Sequence, residues 1–122
     1  MLFTIRRRLS MFGIKEIDSQ TLSAWQKEGK TIRILDVRSP VECTQGMIEN
    51  GEPIPLHLLP LKADELENDV DTVIYCRSGA RSAQACAFLM ARGHNRVFNL
   101  RGGIIDWVRC GNSLVNPSGQ VA

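Results

Sequence analysis

Between residues 70 and 93 the chain passes from an apolar β-type run, Val70-Asp71-Thr72-Val73-Ile74-Tyr75, through a cysteine and a short turn. It then enters an Ala-rich helical segment that stops at Gly93. A strand that turns into a helix within a few residues begins a crossover connection, and that confines the chain to folds with parallel strand pairing. The alternation recurs on both sides. Residues 32–37 read as a buried strand closed by Asp36, Arg38 and Ser39-Pro40. Residues 97–100 read as another strand, and Gly102-Gly103 opens a short helix that reaches Trp107, a core residue. Upstream, Asp18 suits the N-cap of a helix to about residue 28, with Leu22 and Trp25 on one face and Gly29 as its stop. Residues 14–17 alternate weakly, as an edge strand does. The Gly- and Pro-rich stretch 42–60 reads as loop with a short strand at Ile54, and 61–66 as a short helix. The expected fold is therefore α/β: a three-layer open sheet of about five mostly parallel strands with helices on both faces. In the helix at 82–92, Ala83, Cys86, Ala87 and Met90 fall at i, i+3, i+4 and i+7 and form the expected core stripe.

The chain has 122 residues, enough for one domain with a real core. It is 43% hydrophobic and 23% charged, which excludes collagen-like, low-complexity and wholly disordered chains. No apolar run is long enough to span a bilayer, so no membrane partner is expected. The formal charge of +2 comes entirely from Arg6, Arg7 and Arg8, which argues against a nucleic-acid partner. Residues 1–10 read as a flexible extension, 11–115 as the domain and 116–122 as a tail. In the extension the apolar residues precede the arginines, the reverse of a secretory signal; its Arg-rich, acid-free composition is the sole cue toward a mitochondrial presequence. Cys43, Cys76, Cys86 and Cys110 form no C-x-x-C pair, and His57 and His94 stand alone, so neither zinc nor any other cofactor is expected. A chain that builds its own core needs no disulfides, which fits a reducing, cytoplasmic setting.

The chemistry lies in the turn Cys76-Arg77-Ser78-Gly79-Ala80-Arg81-Ser82. A thiol at a strand's carboxyl end, followed by a tight loop and a helix N-terminus, faces backbone N–H groups that lack carbonyl partners. Those donors and the helix dipole favour negative charge. Gly79 can take the positive φ that turns successive amides inward, and Arg77 and Arg81 add positive charge. A free thiol of pKa about 8.5 is only about 3% thiolate at neutral pH, whereas such surroundings lower it to about 3.5–7.5. The pattern points to a nucleophilic cysteine that attacks a small anion, and it leaves open whether sulfur or phosphorus is attacked. Cys86 reads as a packing residue and Cys43 and Cys110 as inert.

Three stretches in order, Leu35-Asp36-Val37-Arg38, the Cys76–Ser82 loop and Leu100-Arg101-Gly102-Gly103-Ile104-x-x-Trp107, resemble the rhodanese-like sulfurtransferases over roughly residues 11–115. The resemblance implies a thiosulfate sulfurtransferase. Cys76 takes sulfane sulfur from a small anionic donor such as thiosulfate, forms a persulfide, and passes it to cyanide, a thiol or a protein acceptor. The amides of Arg77, Ser78, Gly79, Ala80, Arg81 and Ser82 would hold the persulfide, Arg77 and Arg81 the donor sulfonate, and Asp36, Arg38 and Glu42 would brace the loop. Met47 stands where the family often has His, Pro53 where it often has Asn, and Cys43 where an aromatic is common.

Two other functions are compatible with a cysteine in such a loop. One is a persulfide carrier or interaction module that serves a partner protein. The other is a cysteine phosphatase or arsenate reductase, whose loop is C-x5-R; here the arginine falls one residue early, at Arg81, and Ser82 holds its place.

Overall fold

The computed structural model describes the backbone of residues 8–9 and residues 13–117. The elements run in chain order as β1 (Arg8–Leu9), β2 (Lys15–Ile17), α1 (Ser19–Lys27), β3 (Ile32–Asp36), α2 (Pro40–Thr44), β4 (Gly51–Pro53), α3 (Leu59–Lys62), β5 (Asp71–Tyr75), α4 (Ala80–Ala91), β6 (Val97–Leu100) and α5 (Gly103–Arg109). The sheet order is β1-β2-β6-β5-β3-β4. The five strands β2 to β6 pair in parallel, and β1 adds an antiparallel edge, Arg8 opposite Glu16. Residues 8 and 9 thus pair where the sequence reading has a loose extension. Residues 1–7, the rest of that expected extension, lie outside the described residues, as does most of the expected tail.

Side chains alternate across the strands because successive Cβ atoms point to opposite faces. Leu35, Ile74 and Val97 join Ala85, Cys86 and Leu89 of α4 and Leu59 of α3 on one face. Ile34, Val73, Tyr75 and Phe98 join Leu22 and Trp25 of α1 and Ile104 and Trp107 of α5 on the other. Trp25 meets Phe98 edge-on, with centroids 5.8 Å apart. Strands with both faces buried are mainly apolar, and β5 and β6 are buried along their whole length, β3 over its last three residues. The two polar residues that begin β5 are also accounted for: Asp71 accepts from Arg96 Nε at 2.9 Å and pairs with Lys30 at 3.3 Å, while the Thr72 hydroxyl donates to Val70 O.

Three local differences from the sequence reading have physical causes. The 42–60 stretch begins with a helix, α2. Ser39 caps it: its hydroxyl accepts from Glu42 N–H, and Glu42 Oε1 accepts from Ser39 N–H at 3.1 Å. Ser39-Pro40-Val41-Glu42 is a capping box with proline in the first turn, a signal the sequence carried. The strand expected at Ile54 is β4, one residue earlier. Ile54 N–H still donates to Asp36 O, so the nitrogen of Pro53 faces outward from an edge strand and no ladder bond is lost. The expected core stripe of α4 is displaced. Ser82, Ala85, Cys86 and Leu89 are buried, whereas Ala87 is exposed and Ala83 and Met90 are half-buried at the margin. The helix begins at Ala80, and Ser82 turns inward toward polar partners, which sets the rotation of the whole helix.

Candidate active site

Because β2 to β6 run in parallel, the segments after β3, β5 and β6 emerge at one end of the sheet, where α/β folds place their sites. Cys76 follows β5, between β3 and β6, and is only 1% exposed. Its Sγ accepts from Gly79 N–H at 3.1 Å and Ser82 N–H at 3.4 Å, and lies 3.3 Å from Ser82 Oγ. Gly79 has φ 111°, the left-handed conformation that lets the turn fold its amides over the sulfur.

The loop is held in that shape from behind. Ile104 N–H donates to Cys76 O at 3.0 Å and Ile105 N–H to Arg77 O at 3.2 Å, both from the first turn of α5. A trans peptide carries its N–H opposite its C=O. Drawing these two carbonyls toward α5 therefore turns the N–H groups of Arg77 and Ser78 away from α5, and the Ser78 amide is among those that act on the sulfur. Gly103 makes the approach possible: a Cβ there would sit 2.4 Å from Arg77 O and 2.6 Å from Arg77 C. The pair Gly102-Gly103 is thus close packing against the loop and not a phosphate cradle.

Burial of Cys76 Sγ opposes its ionisation. The Ser82 hydroxyl, where it donates to the ionised sulfur, and the amides of Ser82, Gly79 and Ser78 more than offset this, and the thiol is lowered from its ordinary value. The other cysteines differ. Burial pushes the Cys43 thiol up to about 11 and the Cys86 thiol up to about 12. Cys110 is exposed, and all four cysteines are free. Cys86 packs on α4 as the sequence reading has it. Among the described residues no three His, Cys, Asp or Glu side chains converge as a metal site.

The charged residues named from the sequence fall into two groups. Asp36 and Arg38 form a buried pair: Arg38 Nε donates to both Asp36 oxygens at 2.9 and 3.1 Å and Nη2 to Oδ2 at 2.6 Å. The same guanidinium reaches Gly46 O at 2.7 Å and stacks over the Tyr75 ring at 5.5 Å. Burial disfavours its charge, but Asp36 reverses that and raises its pKa. This pair pins the segment 39–46 to the sheet, and among the described residues none of its side-chain hydrogen bonds goes to the loop. Glu42, in the middle of that segment, does reach the loop: its two oxygens accept from Arg81 Nη1 at 2.6 Å and Nη2 at 2.8 Å. The Arg81 guanidinium holds the Glu42 carboxyl down to about 2. A donor approaching Arg81 therefore meets an ion pair, while Arg77 is exposed and makes no ion pair among the described residues. Beside Arg77 lies an open pocket of about 400 Å³, walled by Glu42 and Gln45 on one side and Ile105, Val108 and Leu114 on the other.

Two contributors were not read from the sequence. Asn99 of β6 reaches Ser82 and Gly79, and the amides of Ile104 and Ile105 orient the loop. The Gly102-Gly103 pair was a signal for the second, since adjacent glycines before a helix mark a close backbone approach; nothing local marks the first.

The loop geometry agrees with what sequence and structure comparisons find. The family model of the rhodanese-like domain matches residues 18–110. A sulfurtransferase of Allochromatium vinosum is 50% identical over 106 residues, covering 87% of this chain and 99% of its own length. A rhodanese-related protein of Thermoplasma volcanium superposes with a TM-score of 0.75 at 34% identity, over 82% of this chain and 96% of that one. A rhodanese-like domain protein of Staphylococcus aureus gives 0.72 at 30% identity, over 75% of this chain and 89% of that one. A cysteine cradled by amides at the carboxyl end of a parallel sheet, and a match spanning most of the chain, place this protein in the rhodanese-like domain family.

Proposed function

We propose that the protein is a thiosulfate-type sulfurtransferase working through a persulfide on Cys76. The observation that carries this reading is the convergence of Gly79 and Ser82 N–H groups on a buried sulfur whose thiol is lowered. The Cys76 thiolate attacks the outer sulfur of thiosulfate; the donor S–S bond breaks and sulfite leaves with its electron pair. The extra sulfur stays bonded to Sγ, with its charge facing the donors of the loop. A thiol or cyanide then attacks that outer sulfur, and Cys76 departs as thiolate, the form the amides stabilise. Arg77, exposed at the mouth, attracts the donor's sulfonate, whereas Arg81 is engaged by Glu42 and holds the loop. Asp36, Arg38 and Glu42 act as supports. A reducing, cytoplasmic setting suits a thiolate that must stay unpaired.

The Glu42–Arg81 pair also favours a second reading, a persulfide carrier that receives sulfur from a partner protein, since it leaves fewer free cations for a small dianion. Against a cysteine phosphatase stands the same pair, because that chemistry needs its arginine on the phosphoryl group. The test is direct. After incubation with thiosulfate, the intact mass should rise by one sulfur, and the Cys76→Ser variant should take up none. Sulfur uptake with negligible turnover to cyanide selects the carrier; hydrolysis of an aryl phosphate without uptake overturns both sulfur readings.

A further inference from the structure

The hydroxyl of Ser82 has one proton and two neighbours that could receive it. One is Cys76 Sγ at 3.3 Å; the other is Asn99 Oδ1 at 2.5 Å. The orientation of the Asn99 amide is fixed by its other end: Nδ2 donates to Gly79 O at 3.2 Å and to Glu16 Oε2 at 3.3 Å, both of which only accept. Its Oδ1 must then face Ser82 as an acceptor, and at 2.5 Å the serine proton is committed to it. Asn99 is 2% exposed and Ser82 fully buried, so no solvent stands in for either partner. In this arrangement Ser82 offers the sulfur only lone pairs. These suit a thiol, which donates its own proton, and repel a thiolate.

We propose that Asn99 is a positioning residue that aims the Ser82 hydroxyl away from Cys76 while the sulfur is uncharged, so that Ser82 donates to Sγ only in the states where Sγ carries the charge. This rests on the persulfide reading and deepens it. When the extra sulfur is bound, Sγ is a neutral disulfide-type atom and the hydroxyl stays with Asn99. When an acceptor forms its bond to the outer sulfur, the S–S pair moves onto Sγ and the hydroxyl rotates to meet it, leaving Asn99 Oδ1. Asn99 thus competes for the proton and tempers the ionisation of the resting thiol. The other charged or titratable groups facing Cys76 are Arg81, itself paired with Glu42, and Cys86 on the same helix; Glu16 is reached through Asn99.

The sign of the effect separates this role from a structural one. If Asn99 merely anchored Gly79 O, removing it would loosen the loop and raise the thiol pKa. If it competes for the Ser82 proton, removing it frees a donor and lowers the pKa. The experiment is the pH profile of iodoacetamide alkylation at Cys76, read on its own peptide by mass spectrometry with no sulfur donor present. Asn99→Leu, near in volume, should move the profile midpoint down by about half a pH unit or more, and Asn99→Ala should do the same should the leucine disturb packing. In a Ser82→Ala background the same substitutions should move it no further. An unchanged or raised midpoint, or an equal fall without the Ser82 hydroxyl, overturns the proposal. Sulfur uptake from thiosulfate, measured separately on the same variants, keeps the persulfide reading distinguishable: it can fail while the alkylation shift stands, and the reverse.

Discussion

Replacing Gly103 with alanine tests whether the loop is aimed from behind. The glycine has φ 60°, and a left-handed alanine costs about 1–2 kcal/mol. Its Cβ would also lie 2.4 Å from Arg77 O and 2.7 Å from Cys76 O, so the α5 terminus and the loop must separate by close to an ångström. That separation breaks the Ile104 and Ile105 bonds to the loop, each contributing about 0.5–1.5 kcal/mol. The expected loss of stability is about 2–5 kcal/mol in urea denaturation. Gly93→Ala is the control: it also has positive φ, 93°, but no atom lies within 4 Å of the added Cβ, so only the strain of about 1–2 kcal/mol applies. The functional consequence is larger than the difference in stability. With the two carbonyls released, the amides of Arg77 and Ser78 lose their direction, and the alkylation midpoint of Cys76 should climb toward the free-thiol value of about 8.5. If Gly103→Ala costs no more than Gly93→Ala and leaves that midpoint in place, the idea that α5 aims the loop is wrong.

Alkylation of the native protein by iodoacetamide near neutral pH should label Cys76 first and Cys110 more slowly. Cys43 and Cys86, pushed up to about 11 and about 12 by burial, should react only after unfolding; early labelling of Cys86 would refute its placement in the core. The Glu42–Arg81 pair gives a pH dependence of known sign. Glu42 is lowered to about 2, so its contribution is fully present above the ordinary carboxylate value of about 4.3 and is lost as the pH falls toward about 2. The urea midpoint of Glu42→Gln should therefore lie below that of the wild type near neutrality and converge with it in acid. The same variant frees Arg81, so its KM for thiosulfate should fall several-fold if a free cation at the mouth recruits the dianion.

The parallel sheet and the nucleophile were legible because both are local patterns. Val73-Ile74-Tyr75 is apolar throughout since both faces are covered, and the Cys76 loop carries its glycine and its helix start within seven residues. What sequence reading missed depends on residues distant in the chain. Arg81 is paired with Glu42, 39 positions earlier, and nothing near Arg81 signals it. The rotation of α4 was misread because Ala83 and Ala87 look as suitable for a core as Ala85. The deciding residue is Ser82, whose polar partners Cys76 and Asn99 lie on β5's end and β6. The helix α2 is the exception, a capping box present in four consecutive residues and obscured by the Gly and Pro that follow it.

The two amides that turn the loop belong to residues 104 and 105, nearly thirty positions beyond the cysteine they serve. A ribosome finishes Cys76 well before it reaches them. Until α5 docks on the sheet, nothing draws the Cys76 and Arg77 carbonyls back, and the loop lacks the direction those two bonds impose. The helix that closes the hydrophobic layer is also the one that aims the loop.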